Sequence, residues 1–316
     1  MKVFSSFFFK KRQVDTVFYI QDGASADYVV NMLYEKKLIS GTAFPKLYVR
    51  LKNVVFKAGN FTIKGVFSDA EILRLLAKCQ VRLVRVTIPE GSNIFDIGEI
   101  LENSGLCEEE NFLKLTFDKT FLKKSGIDST TAEGFLFPDT YLFGKSDSCE
   151  KIVKTMYGNF RKKVLPLFKS YVVPSIVKKA IGNVAVDKII AVASIVEKEA
   201  ANDEEKPLIA GVIYNRLRKG MFLQCDPTII YGYKIEGIDK ERLLGSDIRK
   251  SNSPYNTYKM KNLPPTPICN PGIVSIKAAM YPANTKYFYF LAVNGKHIFS
   301  KTYKEHLLKI KKYYNR

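Results

Sequence analysis

Two stretches near the start of the chain repeat one order of apolar and polar positions. Residues 19–39 read YIQDGASADYVVNMLYEKKLI and residues 87–107 read TIPEGSNIFDIGEILENSGLC. A single gapless offset sets Ile20 on Ile88, Asp22 on Glu90, Gly23 on Gly91, Val29 on Ile97, Met32 on Ile100, Leu33 on Leu101 and Leu38 on Leu106. Each copy predicts a short strand (Val17–Ile20; Val84–Ile88), then a turn at a glycine free to take positive φ. A helix follows whose apolar residues recur at i, i+3 and i+4. Ser25 and Ser92 are candidate helix N-caps. Between the copies, FSDAEILRLLA (67–77) sets Ser68 three residues before Glu71, the spacing of a capping box.

The second half has other patterns. A basic helical stretch is expected from Cys149 to Tyr171, and a helix from about Val186 to Ala201 whose apolar positions leave almost no polar face. A helix apolar nearly all round is buried. Another amphipathic helix runs from Leu208 to Gly220, where the glycine ends it. Gln224 and Asp226 then fall in a turn closed by Pro227. Residues 253–272 form a long loop rich in Pro and Asn, of a kind that usually binds something. Tyr287–Val293 and His297–Ser300 flank Asn294-Gly295, the strongest two-residue hairpin signal.

Composition narrows the partners. The chain has 316 residues, enough for two domains, and a net charge of +19 from 50 Lys+Arg against 31 Asp+Glu. Such a balance suits an anionic partner, although a general drift toward lysine gives the same charge with no function behind it. The five cysteines are widely spaced and odd in number, and there are only two histidines, so neither a zinc site nor a dense disulfide framework is expected. No apolar run reaches the ~18 residues that span a bilayer. The opening MKVFSSFFFKKR is too short for a spanning helix and lacks a signal-peptide cleavage site.

The candidate chemistry centres on ASIVEKEA (193–200), where Glu197 and Glu199 leave the buried helix. Taken alone, this marks the point where a helix reaches the surface. The alternative is an acid held at the edge of a dry pocket, where burial raises its pKa toward neutrality. Two residues apart on a helix is about 200°, so only one of the pair can enter a cleft. The other is expected to pair with a cation, with Arg216 as one candidate. Asn215, Gln224, Asp226, Tyr255, Asn256 and Thr257 offer the amides, hydroxyls and ring faces that a neutral sugar needs. Asp226 before Pro227 could equally serve only to shape the turn.

The strand–turn–helix unit resembles the LysM carbohydrate-binding module. The chain as a whole resembles the endolytic murein transglycosylase (MltG, YceG-like) family through AGNF, TIPEG, EGFLFPDTY, ASIVEKEA, GVIYNRLRKGM, DPTIIYG, SPYNTY, NPG and YFYFLAV, which occur in the family's order between about residues 17 and 312. The resemblance implies an α+β fold. LysM-like strand–turn–helix modules with an internal repeat would occupy residues 17–130, after an N-terminal segment 1–16, and a mixed α+β catalytic domain residues 131–316.

The activity so implied is that of a lyase, which cleaves MurNAc–GlcNAc bonds of peptidoglycan strands to 1,6-anhydro-MurNAc ends and terminates strand elongation. Glu199, the second glutamate of the E-K-E motif, would be the acid. No cofactor and no metal are implied. Peptidoglycan glycan strands, peptidoglycan synthases and an anionic membrane surface are the expected partners. The expected location is the outer face of the cytoplasmic membrane, with the family's anchor helix not visible in this sequence. Two other classes stay open, a non-catalytic peptidoglycan-binding scaffold and a basic nucleic-acid-binding protein. The intact E-K-E motif argues against the first, and no nucleic-acid-binding signature supports the second.

Overall fold

The computed structural model describes residues 10–21, 23–78, 83–240 and 242–314. The chain divides into two compact units, residues 1–85 with 142–147, and residues 86–141 with 148–316. The N-terminal apolar stretch, Asp22 and Cys79 lie outside the described residues.

In the smaller unit, β1 (Arg12–Ile20) is followed by α1 (Ala26–Glu35), α2 (Ala43–Leu51), β2 (Gly59–Phe67) and α3 (Asp69–Lys78). β1 and β2 pair antiparallel, with Phe18 opposite Phe61 and their rings stacked at 5.9 Å. Period-2 alternation in β1 turns Val14, Phe18 and Ile20 inward, where Val29, Val30 and Leu33 of α1 and Ile72, Leu73 and Leu76 of α3 meet them. The capping box forms, with Ser68 N donating to Glu71 Oε2 at 2.8 Å and Glu71 N to Ser68 Oγ at 3.3 Å. Asp69 is buried and accepts from Ser40 N, Ser40 Oγ and the Arg12 guanidinium.

β3 (Leu83–Thr87) leads to α4 (Ile94–Asn103), so the second copy of the repeat is also strand, turn and helix. The correspondence extends to backbone details. Gly23 and Gly91 have φ of 73° and 80°, and at the helix ends Lys37 and Gly105 have φ of 58° and 65°. Each of those ends closes with the same bond, from Leu38 N to Leu33 O and from Leu106 N to Leu101 O. Ser25 caps α1 as expected, but Ser92 does not cap α4. The cap is Asn93, the residue that the offset sets on Ser25; its Oδ1 accepts from Phe95 N and Asp96 N while Asp96 accepts from Asn93 N.

The chain continues with α5 (Glu109–Phe117), α6 (Lys119–Ser125), β4 (Thr140–Gly144, paired with β3), α7 (Cys149–Lys163), α8 (Leu165–Lys169) and α9 (Ser175–Ile181). Then come α10 (Val186–Glu199), α11 (Lys206–Arg218), α12 (Asp226–Ile235), α13 (Gly245–Lys250) and α14 (Ile273–Met280), and finally the hairpin β5 (Tyr289–Val293) and β6 (Lys296–Ser300) and α15 (Tyr303–Tyr313). The chain is thus mixed α+β. α10 is the central element of the larger unit. Ile189 to Val196 are all buried, and the helix packs on α11, α12 and α14. Each fully buried Ile or Val there contributes roughly 1.5–3 kcal/mol. Gly220, at φ 63°, ends α11 as expected, and Asn294 and Gly295, at φ 51° and 74°, make the hairpin turn. No helix among the described residues is long and apolar enough to cross a membrane.

One expectation changes. Asp226-Pro227 does not close a turn but opens α12, because proline is at home in the first turn of a helix, where its missing N–H has no partner to lose. Beyond what was expected, Cys107 is joined to Cys149, the first residue of α7, by a disulfide with Cα atoms 5.5 Å apart and a sequence separation of 42. Cysteine spacing gave no hint of this pairing. A loop of that length makes the bridge worth about 2–4 kcal/mol, chiefly by restricting the unfolded chain. Replacing both cysteines by serine should lower the unfolding free energy by that amount and the urea midpoint with it, with a slope that rises as the unfolded chain opens further. A midpoint insensitive to both substitution and reductant would mean the bridge does not form.

Candidate functional site

The end of α10 separates the two glutamates. Glu197 is taken at both oxygens, Oε1 by Lys206 Nζ at 3.0 Å and Oε2 by Gly272 N at 2.8 Å. The expected cation partner exists, but it is Lys206 and not Arg216. Lys206 is nearly buried and also reaches Asp203 at 2.8 Å. Glu199 points elsewhere. It is half-buried against the Cys225 thiol, with Asp226 and Arg216 as the neighbouring charges. Burial, and then the negative charge of Asp226, push its pKa up to about 7, against the lowering effects of Cys225 and Arg216. A carboxyl poised there is half protonated near neutrality, so it can give a proton and take one back.

The wall facing Glu199 is the turn 222–226, and Arg216 and Thr257 hold it. Arg216 is buried, with its Nη1 donating to Leu223 O at 2.6 Å and its Nε to Phe288 O at 2.6 Å, while its guanidinium lies 5.1 Å over the Tyr289 ring. Thr257 is wholly buried. Its Oγ1 accepts from Cys225 N at 3.0 Å, and its carbonyl accepts from Gln224 N at 3.1 Å. Gln224 is exposed and sits at φ 53°, a left-handed backbone unusual for a residue with a Cβ. Its carboxamide makes no hydrogen bond among the described residues. Asp226 is exposed and accepts from Tyr258 Oη at 2.5 Å.

The structure therefore brings Glu199, Gln224, Asp226 and Thr257 together. It commits the other candidates to the scaffold. Asn215 is buried, and its amide donates to Thr285 O and Tyr287 O, tying α11 to the approach to β5. Asn256 donates to Ile248 O and Ser251 O, which shapes its own loop. Tyr255 is buried, sits edge-on to Tyr231 and shares a hydrogen bond with Thr266. Sequence reasoning missed Cys225 and Tyr258. Tyr258 ends the SPYNTY motif and Cys225 lies between Gln224 and Asp226, but nothing in the pattern says which side chain faces Glu199.

A second buried carboxyl was also missed. Glu133, first residue of EGFLFPDTY, is wholly buried, accepts from Ile94 N at 3.0 Å and from Asn270 Nδ2 at 2.8 Å, and burial pushes its pKa up to about 8. Asn270 also donates to Ser92 O from both its backbone and its side chain, and its Oδ1 accepts from Leu136 N. It lies two residues before the Gly272 N–H that holds Glu197. Among the described residues, no group of His, Cys, Asp and Glu is placed to hold a metal ion.

Comparison with known proteins adds four findings. Residues 18–312 match the YceG-like family. The endolytic murein transglycosylase of Bacillus subtilis (strain 168) is 35% identical over 305 residues, 91% of this chain and 81% of that protein. The protein of that name from Streptococcus pneumoniae serotype 2 (strain D39) is 28% identical over 91% of this chain, which spans only 56% of that longer relative. A crystal structure of a yceG-like protein from Listeria monocytogenes matches with a TM-score of 0.63 at 30% identity, covering 94% of this chain and 100% of that one.

The packing of Thr257 yields a test. Thr257→Val keeps the shape and removes the acceptor of Cys225 N, leaving a buried donor unpaired. The expected cost is about 1–3 kcal/mol of unfolding free energy, with Thr257→Ser losing clearly less. Equal stability of the valine and serine variants would remove the hydroxyl from this account.

Proposed function

The chain belongs to the YceG-like family, and from that premise we propose that it is a lytic transglycosylase that cuts peptidoglycan glycan strands internally. The observation that carries this is the Glu199 carboxyl, raised to about 7 by burial at the end of a dry helix beside an exposed polar turn. Protonated Glu199 gives its proton to the glycosidic oxygen as the bond from that oxygen to the MurNAc anomeric carbon breaks. The 6-hydroxyl of the same sugar attacks that carbon, and the Glu199 carboxylate takes the hydroxyl proton. The product is a 1,6-anhydro ring, no water enters, and Glu199 ends protonated as it began. One carboxyl suffices, where hydrolases typically use two. Arg216 steadies the ionised form, and Asp226 opposes it.

Gln224, and Asp226 through the oxygen that Tyr258 leaves open, would meet the sugars' hydroxyl and acetamido groups, with Tyr255, Asn256 and Thr257 fixing the loop behind them. Asn215 has a supporting role. The LysM-like unit of residues 17–130 holds the glycan, and residues 131–316 carry the reaction. The net charge of +19 suits stem carboxylates and anionic lipid headgroups, and synthases are the enzymes that would supply the strand being cut. The Cys107–Cys149 bridge supports a location outside the cytoplasm, where disulfides persist.

Glu199→Gln tests the reaction and the burial together. It should remove anhydro-ended products, a loss of ~10²–10⁴ or more in rate, with glycan binding retained. Glu197→Gln should cost far less turnover. In the unaltered chain kcat/KM should fall above about pH 7, as the acid form is lost. The folded pKa of Glu199 lies above its ordinary 4.5, so the folded state holds the extra proton. Stability must therefore fall as pH rises from 4.5 through about 7, by roughly 3 kcal/mol. Glu199→Gln lacks that penalty, so it should melt higher than the unaltered chain at pH 8, by a margin that shrinks toward pH 4.5. Anhydro ends formed at the normal rate by both variants would place the acid elsewhere. Binding of strands by the unaltered chain without any cleavage would identify a scaffold.

A further inference from the structure

Along the other half of α10 lies a groove of about 680 Å³, lined by Asp128 to Thr130 after α6, by the end of α9, by Asp187, Lys188 and Ala191 of α10, and by residues 261–267. Glu199 does not line it. The two are nevertheless joined by structure on both sides. Ala191 precedes Glu199 by eight residues on one helix, about 12 Å of rise. At the opposite wall Lys261 Nζ lies 5.4 Å over the Phe222 ring, and the Phe222 carbonyl accepts from the same Arg216 that holds the turn facing Glu199.

The lining has a definite chemistry. Lys188 is committed to Ile181 O at 3.1 Å, and Lys261 sits over Phe222. Asp128 and Asp187 are exposed, and neither has an ion pair or hydrogen bond among the described residues. The two carboxylates and two ammonium groups of this lining balance in formal charge, and the carboxylates are the charged groups left without a partner among the described residues. Pro264 and Pro265 lack N–H groups, so the backbone of that wall offers carbonyl acceptors in excess of donors. Carboxylates, carbonyls and the Ser129 and Thr130 hydroxyls together call for a ligand rich in donors, with a primary ammonium at its centre.

We propose that this groove is a subsite for the peptide portion of the substrate. It would hold a short peptide bearing a free primary amine, with Asp128 and Asp187 as the ammonium's partners. The proposal rests on the peptidoglycan assignment, since a peptide-bearing glycan is the polymer that would present such a group beside a scissile sugar bond.

The test is calorimetric titration of the whole chain with a synthetic tetrapeptide that carries one free side-chain amine and a terminal carboxylate, and with the same peptide acetylated on that amine. The free amine should bind roughly fivefold tighter or more, and the preference should vanish in a D128N/D187N double variant. Both positions are exposed, and asparagine preserves their shape, so circular dichroism should find that variant folded. On intact peptidoglycan its defect should fall on KM rather than kcat. Equal binding of the two peptides, or an undiminished preference in the double variant, overturns the subsite. E199Q should keep the amine preference. Retention of that preference in an unaltered chain that yields no anhydro ends would overturn the proposed reaction and leave the subsite standing.

Discussion

The site depends on how α10 ends. Glu197 and Glu199 stand about 200° apart on the helix, so fixing one fixes the other. Glu197 is fixed firmly, with an ammonium on one oxygen and a backbone N–H on the other. Its charge is balanced by Lys206, itself nearly buried, so removing either partner would strand a charge away from water at a cost of about 3–5 kcal/mol. With the helix so locked, Glu199 has one direction left, toward Cys225 and Asp226. There burial outweighs the guanidinium of Arg216, and the carboxyl rises to about 7 rather than falling as it would in an open ion pair.

The lock is supported in turn. Gly272 delivers its N–H from a segment that Asn270 pins to Ser92, and Asn270 is held by Glu133, which also takes the N–H of Ile94 at the start of α4. A wholly buried glutamate is expensive as an anion and tolerable as a neutral acid. With its pKa at about 8 it is mostly neutral at pH 7 while still accepting two N–H groups. The second copy of the repeat thus serves the larger unit through the first turn of its helix, where free N–H groups are available. Ser194 adds a further tie, donating to Ala191 O and accepting from Ile268 N in the same loop.

What could be read from the sequence was whatever depends on periodicity and on local backbone chemistry. The strand–turn–helix pattern, the Ser68–Glu71 box, the Gly220 stop and the Asn294-Gly295 turn are local events, and each is found in the fold. The offset itself held the right cap, since it sets Ser25 on Asn93, but serine is the more familiar cap and Ser92 stood next to it. Asp226-Pro227 is ambiguous because Asp before Pro suits both a turn and a helix start, and only the helix beyond decides. Non-local pairings left no trace. Lys206 rather than Arg216 as the partner of Glu197, Cys107 with Cys149, and the amides of Asn215 and Asn256 spent on backbone carbonyls all follow from the packed chain. An asparagine that binds sugar and one that ties down a loop are the same letter.

Gln224 sits in a left-handed backbone conformation, at φ 53°. A left-handed backbone costs a non-glycine residue of order 1–2 kcal/mol, and glycine at 224 would escape that cost. The conformation is imposed from both sides: Thr257 accepts from the backbone N–H groups of Gln224 and Cys225, and Arg216 grips the Leu223 carbonyl. Those bonds are buried, while the Gln224 side chain is not. The buried threonine and arginine thus hold in place a strained turn whose outward groups are a carboxamide with no hydrogen bond among the described residues and, two residues on, the Asp226 carboxylate. A turn needed only to connect α11 to α12 would have no use for that side chain at a strained position. In the proposed reaction the turn 222–226 presents a carboxamide to the sugar beside Glu199, and the strain is then the cost of keeping that group in place before the ligand arrives.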